Sequence, residues 1–83
     1  MTPNQLAHFG ESIYGDGWQS ALARDLDIAD RTVRRWIAGE FKVPDEIENW
    51  LIQIIDMRID QQLRRVDALR KLKAKLDAKQ GAN

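Results

Sequence analysis

Residues 45–79 contain neither glycine nor proline, so nothing in this stretch of the chain favours a break in a helix. Pro44 precedes the run, and proline suits the first position of a helix because its φ is already helical. Asp45 and Glu46 follow, where a negative charge interacts favourably with the positive end of the helix dipole. The sequence therefore predicts one helix from Pro44 to Lys79, about 54 Å long at 1.5 Å per residue.

The apolar residues of this helix fall into two groups. A dense face near its start predicts a core helix, and it comprises Ile47, Trp50, Leu51, Ile54 and Ile55. A narrower row follows, made of Ile59, Leu63, Val66, Leu69, Leu72 and Leu76. Gln62 and Lys73 interrupt the row at core positions of a coiled-coil repeat, so it is too polar to be stable alone. We expect it to form a homodimer, and the alternatives are folding back on the same chain or binding another protein.

Three shorter helices are predicted before Pro44, at about residues 3–14, 18–25 and 30–38. Thr2 and Pro3 favour the first helix start, Gly15 and Gly17 favour a stop after it, and Gly39 suits the end of the third helix. Gly10 predicts a soft point within the first helix. The predicted apolar faces are Leu6, Phe9 and Ile13, then Leu22, Ala23 and Leu26, then Val33, Trp36 and Ile37.

Composition excludes several classes of protein. A chain of 83 residues has no room for a two-domain enzyme. Without cysteine it can form no disulfide, thiolate metal site or cysteine nucleophile, and one histidine excludes a histidine-rich metal site. We therefore expect no enzyme activity, no metal and no cofactor. No segment approaches the roughly 20 apolar residues that span a bilayer, and the first residues lack a signal-peptide pattern. These features predict a cytoplasmic protein with no membrane partner.

Charge is balanced overall but unevenly distributed. Residues 1–55 hold 5 basic and 9 acidic side chains, whereas residues 56–83 hold 8 basic and 4 acidic ones. At 100° per residue, Arg31, Arg35 and Ala38 lie opposite the apolar face of the third helix. Thr32 and Arg34 lie on its flanks. Three arginines on one short exposed helix are either a solvated face with local ion pairs or a surface for a polyanion.

The segment from Gln19 to Trp36, QSALARDLDIADRTVRRW, resembles the helix-turn-helix of the Cro-type, lambda-repressor-like DNA-binding family. The resemblance lies in a small residue, Ala23, where two helices cross, and in Ile28 at the turn. Leu22, Leu26, Val33 and Trp36 occupy the packing positions around it. It implies an all-α helix-turn-helix bundle at residues 1–56. The residues beyond this region predict a helical extension at 57–79 that dimerises, and a disordered tail at 80–83.

The resemblance also implies a DNA-binding surface. The base contacts would come from Arg31, Thr32, Arg34, Arg35 and Ala38 in the third helix, lying in the major groove. The phosphate contacts would come from Gln19, Ser20 and Lys42. The dimer would read an inverted repeat with half-sites about 34 Å apart.

Two residues depart from the family pattern. Asp27 stands where the family usually has glycine, and we expect it to adopt the left-handed conformation, which aspartate tolerates better than most residues. Ala29 stands where the family often has a serine that caps the third helix. We expect Asp30 to cap that helix instead.

The predicted function is therefore sequence-specific binding of double-stranded DNA as a homodimeric repressor or autoregulator. An antitoxin or accessory factor that also binds a partner protein, or a helical adaptor without a DNA role, is the alternative. Trp18, Trp36 and Trp50 are interpreted as core residues, with Trp18 packing at a helix start, and not as base-stacking groups. His8 and the neighbouring acids Asp25, Asp27 and Asp30 are interpreted as structural, as are Asp56 and Asp60.

Overall fold

The computed structural model describes residues 1–81 and, within them, four α-helices and no strand. The helices are α1 (Pro3–Tyr14), α2 (Trp18–Leu26), α3 (Asp30–Ala38) and α4 (Ile47–Gly81). The all-helical fold predicted from the sequence is confirmed. The first three helices begin and end within one residue of the predicted positions.

The start of α1 is held by a capping box. The Thr2 hydroxyl accepts a hydrogen bond from the Gln5 backbone N–H at 3.2 Å, and the Gln5 side chain accepts one from the Thr2 N–H at 2.9 Å. Two N–H groups that have no partner within the helix are thereby satisfied. This arrangement agrees with the predicted start at Pro3.

Gly10 lies within α1 at a point where Trp18 approaches the helix closely. The helix runs through Gly10 without a break, and Gly10 is buried. A Cβ atom added there would overlap the ring of Trp18, which packs across α1 from the first turn of α2. The absence of a side chain at Gly10 therefore permits the close approach of the Trp18 ring.

The core lies where α1, α2, α3 and the first turns of α4 meet. Its buried residues are Leu6, Trp18, Leu22, Ala23, Val33, Trp36, Val43, Ile47, Leu51 and Ile54. Trp50 and Ile55 are half-buried at its edge. Phe9, which the sequence pattern assigned to the core face of α1, is 41% exposed. The face of α1 that is buried in the core is therefore narrower than the row of apolar residues along the helix.

The helix α4 begins at Ile47, three residues after the predicted start at Pro44. Residues 44–46 instead form a turn, in which the Ile47 N–H donates to the Pro44 carbonyl at 3.1 Å. Val43 and Ile47 are both buried. The turn brings both side chains into one core, and this packing outweighs the favourable helix start at Pro44.

Beyond the bundle (residues 1–56), α4 continues as an extension (residues 57–81) in which only Arg58 is even half-buried. The 35 residues of α4 form a helix of about 52 Å, and the molecule measures 65 by 21 by 21 Å. The helix includes Gln80 and Gly81, two residues past its predicted end. Residues 82 and 83, the rest of the predicted tail, lie outside the described residues.

Candidate nucleic-acid interface

The helix α3 has one buried face and one charged face. Val33 and Trp36 are buried on the inner side. The outer side carries Arg31, Arg34, Arg35 and Ala38, all exposed, with Thr32 half-buried beside them. All five residues predicted to contact bases therefore belong to one helix whose opposite side is anchored in the core.

The turn before α3 depends on Asp27. This residue has φ 57° and ψ 46°, the left-handed conformation predicted for it. The Ile28 N–H then donates to the Ala23 carbonyl at 2.9 Å and the Asp27 N–H donates to the Arg24 carbonyl at 3.2 Å. These two bonds form a Schellman motif, which satisfies the last carbonyls of α2 and redirects the chain into α3.

Asp30 does not cap α3, so that prediction is wrong. Ala29 occupies the N-cap position, without a side-chain hydrogen bond, and Asp30 is the first helical residue. The Asp30 carboxylate instead accepts a hydrogen bond from the Ser20 hydroxyl at 3.0 Å. This bond joins the first turns of α2 and α3, which also pack against each other through the core.

Arg35 has neighbours at the end of α3. Its guanidinium lies 3.8 Å from a Glu40 carboxylate oxygen and 5.3 Å from the centre of the Phe41 ring. Within residues 1–81, Arg31 and Arg34 form no ion pair. The ion pair of Arg35 is long and exposed, so it costs little to rearrange.

The three residues predicted to contact phosphate flank this surface. Gln19 and Ser20 lie in the first turn of α2, after Gly17, which supplies no side-chain cap. The N–H groups of that turn are therefore open to an anion, although the Asp30 carboxylate bound to Ser20 adds a negative charge nearby. Lys42 is exposed after α3 and lies 3.6 Å from Asp45.

The sequence reasoning missed one cluster of polar residues from three helices. The Tyr14 hydroxyl at the end of α1 donates to an Asp25 carboxylate oxygen at 2.6 Å. The Arg58 guanidinium of α4 stacks on the Tyr14 ring at 4.5 Å from its centre. Burial raises the pKa of Tyr14 above its ordinary value and the Asp25 carboxylate raises it further, while Arg58 acts in the opposite sense. No spacing in the sequence connects three residues so far apart.

Among residues 1–81 no three histidine, aspartate or glutamate side chains gather as they would around a metal ion. Trp18 and Trp36 are buried, which leaves neither a face for base stacking, and Trp50 is half-buried at the edge of the core. His8 is exposed and contacts Phe9 edge-on.

The six residues predicted to form the dimer interface are all exposed on α4, namely Ile59, Leu63, Val66, Leu69, Leu72 and Leu76. The first three also line an open apolar groove between α1 and α4 of about 540 Å³. Phe9 and Ile13 form its other wall. The exposed side chain of Phe9 thus lies across the groove from exposed apolar side chains of α4.

Comparisons with protein-family models, curated proteins and solved structures give no match for this chain. Across the described part of the chain, every helix is too short or too polar to cross a lipid bilayer.

Proposed function

We propose that this chain binds double-stranded DNA sequence-specifically as a homodimer, with α3 in the major groove. The observation that carries the proposal is the outer face of α3. It presents Arg31, Arg34 and Arg35 beside the small side chain of Ala38, while Val33 and Trp36 hold its other side in the core. Arginine pairs with guanine through two hydrogen bonds, and a small residue permits close approach to the groove.

The connection between α2 and α3 supports a helix-turn-helix unit of the lambda-repressor-like kind. The turn is tight because Asp27 is left-handed, and the fully buried Ala23 has no bulk that would separate the two helices. Such a unit lays its second helix in the groove and its first across the backbone. Gln19, Ser20 and Lys42 then contact phosphates, with the open N–H groups of α2 facing the backbone.

The acidic residues near the arginines favour binding to a specific DNA sequence over nonspecific binding along the DNA backbone. Glu40 lies near Arg35, and Asp30 lies at the start of α3. Carboxylates repel phosphate at the wrong distance, and they discourage nonspecific binding along DNA. The arginines gain most binding free energy at a site where base edges replace their neighbours within the chain, such as Glu40 beside Arg35. We therefore infer a regulator that acts at few sites, a cytoplasmic repressor or autoregulator that blocks the DNA it covers.

The experiment is a mobility-shift titration with a DNA fragment from immediately upstream of the coding region. A scrambled competitor and two salt concentrations accompany it. We expect a specific shift whose affinity falls with salt, with a slope of about −0.9 per phosphate neutralised. Arg31→Ala and Arg35→Ala should each cost about 1–3 kcal/mol of binding free energy.

Arg64→Ala is the matched control, because it removes the same charge from an exposed residue of the extension. Its DNA affinity should stay close to that of the parent chain. Unchanged affinity in the double variant Arg31→Ala, Arg35→Ala would refute the role assigned to α3.

The exposed extension favours a second candidate, a protein that binds a different protein through α4 and DNA through α3, as an antitoxin or accessory factor does. Its apolar row has no cover within the described chain. An adaptor without a DNA role would show no specific shift at either salt concentration. A pull-down with the extension intact and with Val66 and Leu69 both changed to aspartate would then identify the partner surface.

A further inference from the structure

Phe41, in the loop that follows α3, is 54% exposed and takes no part in the core. The same loop is anchored in the core by Val43, which is 4% exposed. The loop thus has an apolar anchor other than Phe41. The Phe41 ring lies instead beside the Arg35 guanidinium, whose central carbon is 5.3 Å from the ring centre. This distance is within the range of a cation–π interaction.

The backbone at the end of α3 holds Phe41 close to Arg35. The N–H groups of Glu40 and Phe41 both donate to the Arg35 carbonyl, at 3.0 and 3.4 Å. The Gly39 N–H donates to the Trp36 carbonyl at 3.2 Å, and Gly39 is left-handed with φ 78°. These bonds form a Schellman motif, which closes the last turn of the helix. The ring and the guanidinium therefore belong to one closed turn.

The two neighbours of Arg35 leave it hydrogen-bond donors for a base. A cation–π contact engages the face of the ring and uses none of the guanidinium N–H groups. The Glu40 carboxylate lies 3.8 Å from Arg35 Nε, and because both side chains are exposed this ion pair is weak. The Nη groups of Arg35 thus remain for a pair of hydrogen bonds with guanine O6 and N7.

Arg35 is also ordered before any ligand binds. A long arginine side chain loses rotamer freedom when it is fixed on one base, and this loss weakens binding. The contacts of Arg35 with Phe41 and Glu40 restrict the side chain already in the free protein. Among residues 1–81, Arg31 and Arg34 have neither an ion pair nor an aromatic ring beside the guanidinium. The three arginines of α3 therefore differ in how far they are preordered.

We propose that Phe41 positions Arg35 for guanine, so that a residue outside α3 determines how strictly one base pair of the DNA site is read. The inference rests on the DNA binding of the proposed function. Arg35 makes the base contact, and the Phe41 ring stabilises the position from which Arg35 makes it. Loss of the ring should therefore weaken discrimination at the base pair that Arg35 reads and leave the base pair read by Arg31 unaffected.

The experiment first identifies these two base pairs. Selection from randomised DNA duplexes gives the preferred site of the parent chain. Arg31→Ala and Arg35→Ala then show which base pair depends on each arginine, as the position at which each variant loses its base preference. Fluorescence anisotropy at one salt concentration measures the affinity for the preferred site and for sites altered at either base pair.

Phe41→Leu keeps an apolar side chain but removes the ring. We expect it to lower discrimination at the base pair read by Arg35 about two- to fivefold, as loss of an exposed cation–π contact should. Discrimination at the base pair read by Arg31 should not change. Phe41→Tyr retains an aromatic ring and should keep the discrimination of the parent chain. Phe9→Leu is the matched control, because it makes the same change at a phenylalanine of α1 that is 41% exposed.

A double-mutant cycle separates positioning from an independent role of Phe41. In the Arg35→Ala background, Phe41→Leu should cause no further loss of discrimination, because the side chain that Phe41 positions is gone. Equal losses at both base pairs, additive effects in the cycle, or parent-like discrimination in Phe41→Leu would each overturn the inference. So would a loss of helix in Phe41→Leu by circular dichroism, which would show a structural role. A parent chain that selects no DNA sequence would overturn the proposed function, and this inference with it.

Discussion

The helix α4 passes through both the bundle and the extension and carries isoleucine and leucine in each. These side chains are buried in the bundle and exposed in the extension. Ile47, Leu51 and Ile54 in the first turns of α4 are almost fully buried, while Leu63 and Leu76 are 63% and 64% exposed. Helix formation alone does not distinguish the two regions, because α4 is continuous through both. The bundle is stabilised by its own core, whereas the extension can gain the same stabilisation only from a second molecule.

The largest expected effect is a difference in unfolding free energy between two matched truncations, one in the bundle and one in the extension. Leu22→Ala in the bundle should cost about 2–5 kcal/mol of unfolding free energy, because Leu22 is fully buried. Leu69→Ala should cost less than about 0.5 kcal/mol in dilute protein, because Leu69 is half exposed. Urea unfolding followed by tryptophan fluorescence measures both, since all three tryptophans lie in the bundle. Similar losses would mean that the extension packs within its own chain.

A pair of glycines gives a second contrast. Gly10→Ala should destabilise the bundle by about 1–3 kcal/mol, because the new methyl group overlaps the Trp18 ring. Gly81→Ala, where the added group meets nothing within 4 Å, should destabilise nothing. Thermal unfolding by circular dichroism compares the two variants. A gain in stability for Gly10→Ala would show that the Trp18 ring is free to move away.

The helix α3 has no side-chain cap at its start, so adding one should stabilise the bundle without affecting the extension. Ala29→Ser should raise the unfolding free energy by about 1 kcal/mol, because its hydroxyl can accept from an unpaired N–H in the first turn of α3. Ala38→Ser, at the other end of the same helix, provides the control and should give no such gain. In the proposed homodimer, the dissociation constant should be the same in both variants. A gain from Ala38→Ser as large as that from Ala29→Ser would argue against capping.

The smallest expected effect on stability comes from the ionisation of Tyr14, whose ring in the bundle contacts Arg58 of the extension. It is the single tyrosine of the chain, so alkaline titration of tyrosinate absorbance reports its pKa directly. The pKa should lie above the ordinary value of 10.0, mainly through burial, and Asp25→Asn should lower it part of the way.

The sign of the linked stability follows from that direction. Because the folded state holds the Tyr14 proton more tightly, its stabilising contribution is complete below pH 10 and is lost as pH rises toward the folded-state pKa. Unfolding measured from pH 9 upward should therefore become easier, and less steeply so in Asp25→Asn. A titration midpoint at or below the ordinary value would contradict the burial of this hydroxyl.

Local sequence signals predicted most of the fold. Turn glycines, the Thr2 cap and the spacing of leucines are short-range features, so the four helices followed from them, and so did the left-handed Asp27. The start of α4 did not follow, because burial of Val43 and Ile47 decides it. The contact between Gly10 and Trp18 did not follow either, since only the fold brings Trp18 across Gly10.

The candidate interface was predictable as a helix face but not as a set of contacts. Periodicity indicated which side of α3 carries the arginines. It gave no sign that the Asp30 carboxylate would bind Ser20 and leave α3 uncapped, or that Phe9 would face α4 across a groove. These contacts join residues far apart in the chain, and their geometry depends on the crossing of whole helices.

The unbroken course of α4 has a consequence for the length of the DNA that a dimer would span. If two copies of the chain paired through α4 in opposite directions, their bundles would stand at opposite ends of the overlapping helices, and α4 would act as a spacer between them. Removing seven residues from the extension of both copies keeps the same face within about 20°. It also brings the bundles about 10 Å closer, or about three base pairs of DNA. A change in the length of one helix would thus select a differently spaced operator without altering any arginine of α3.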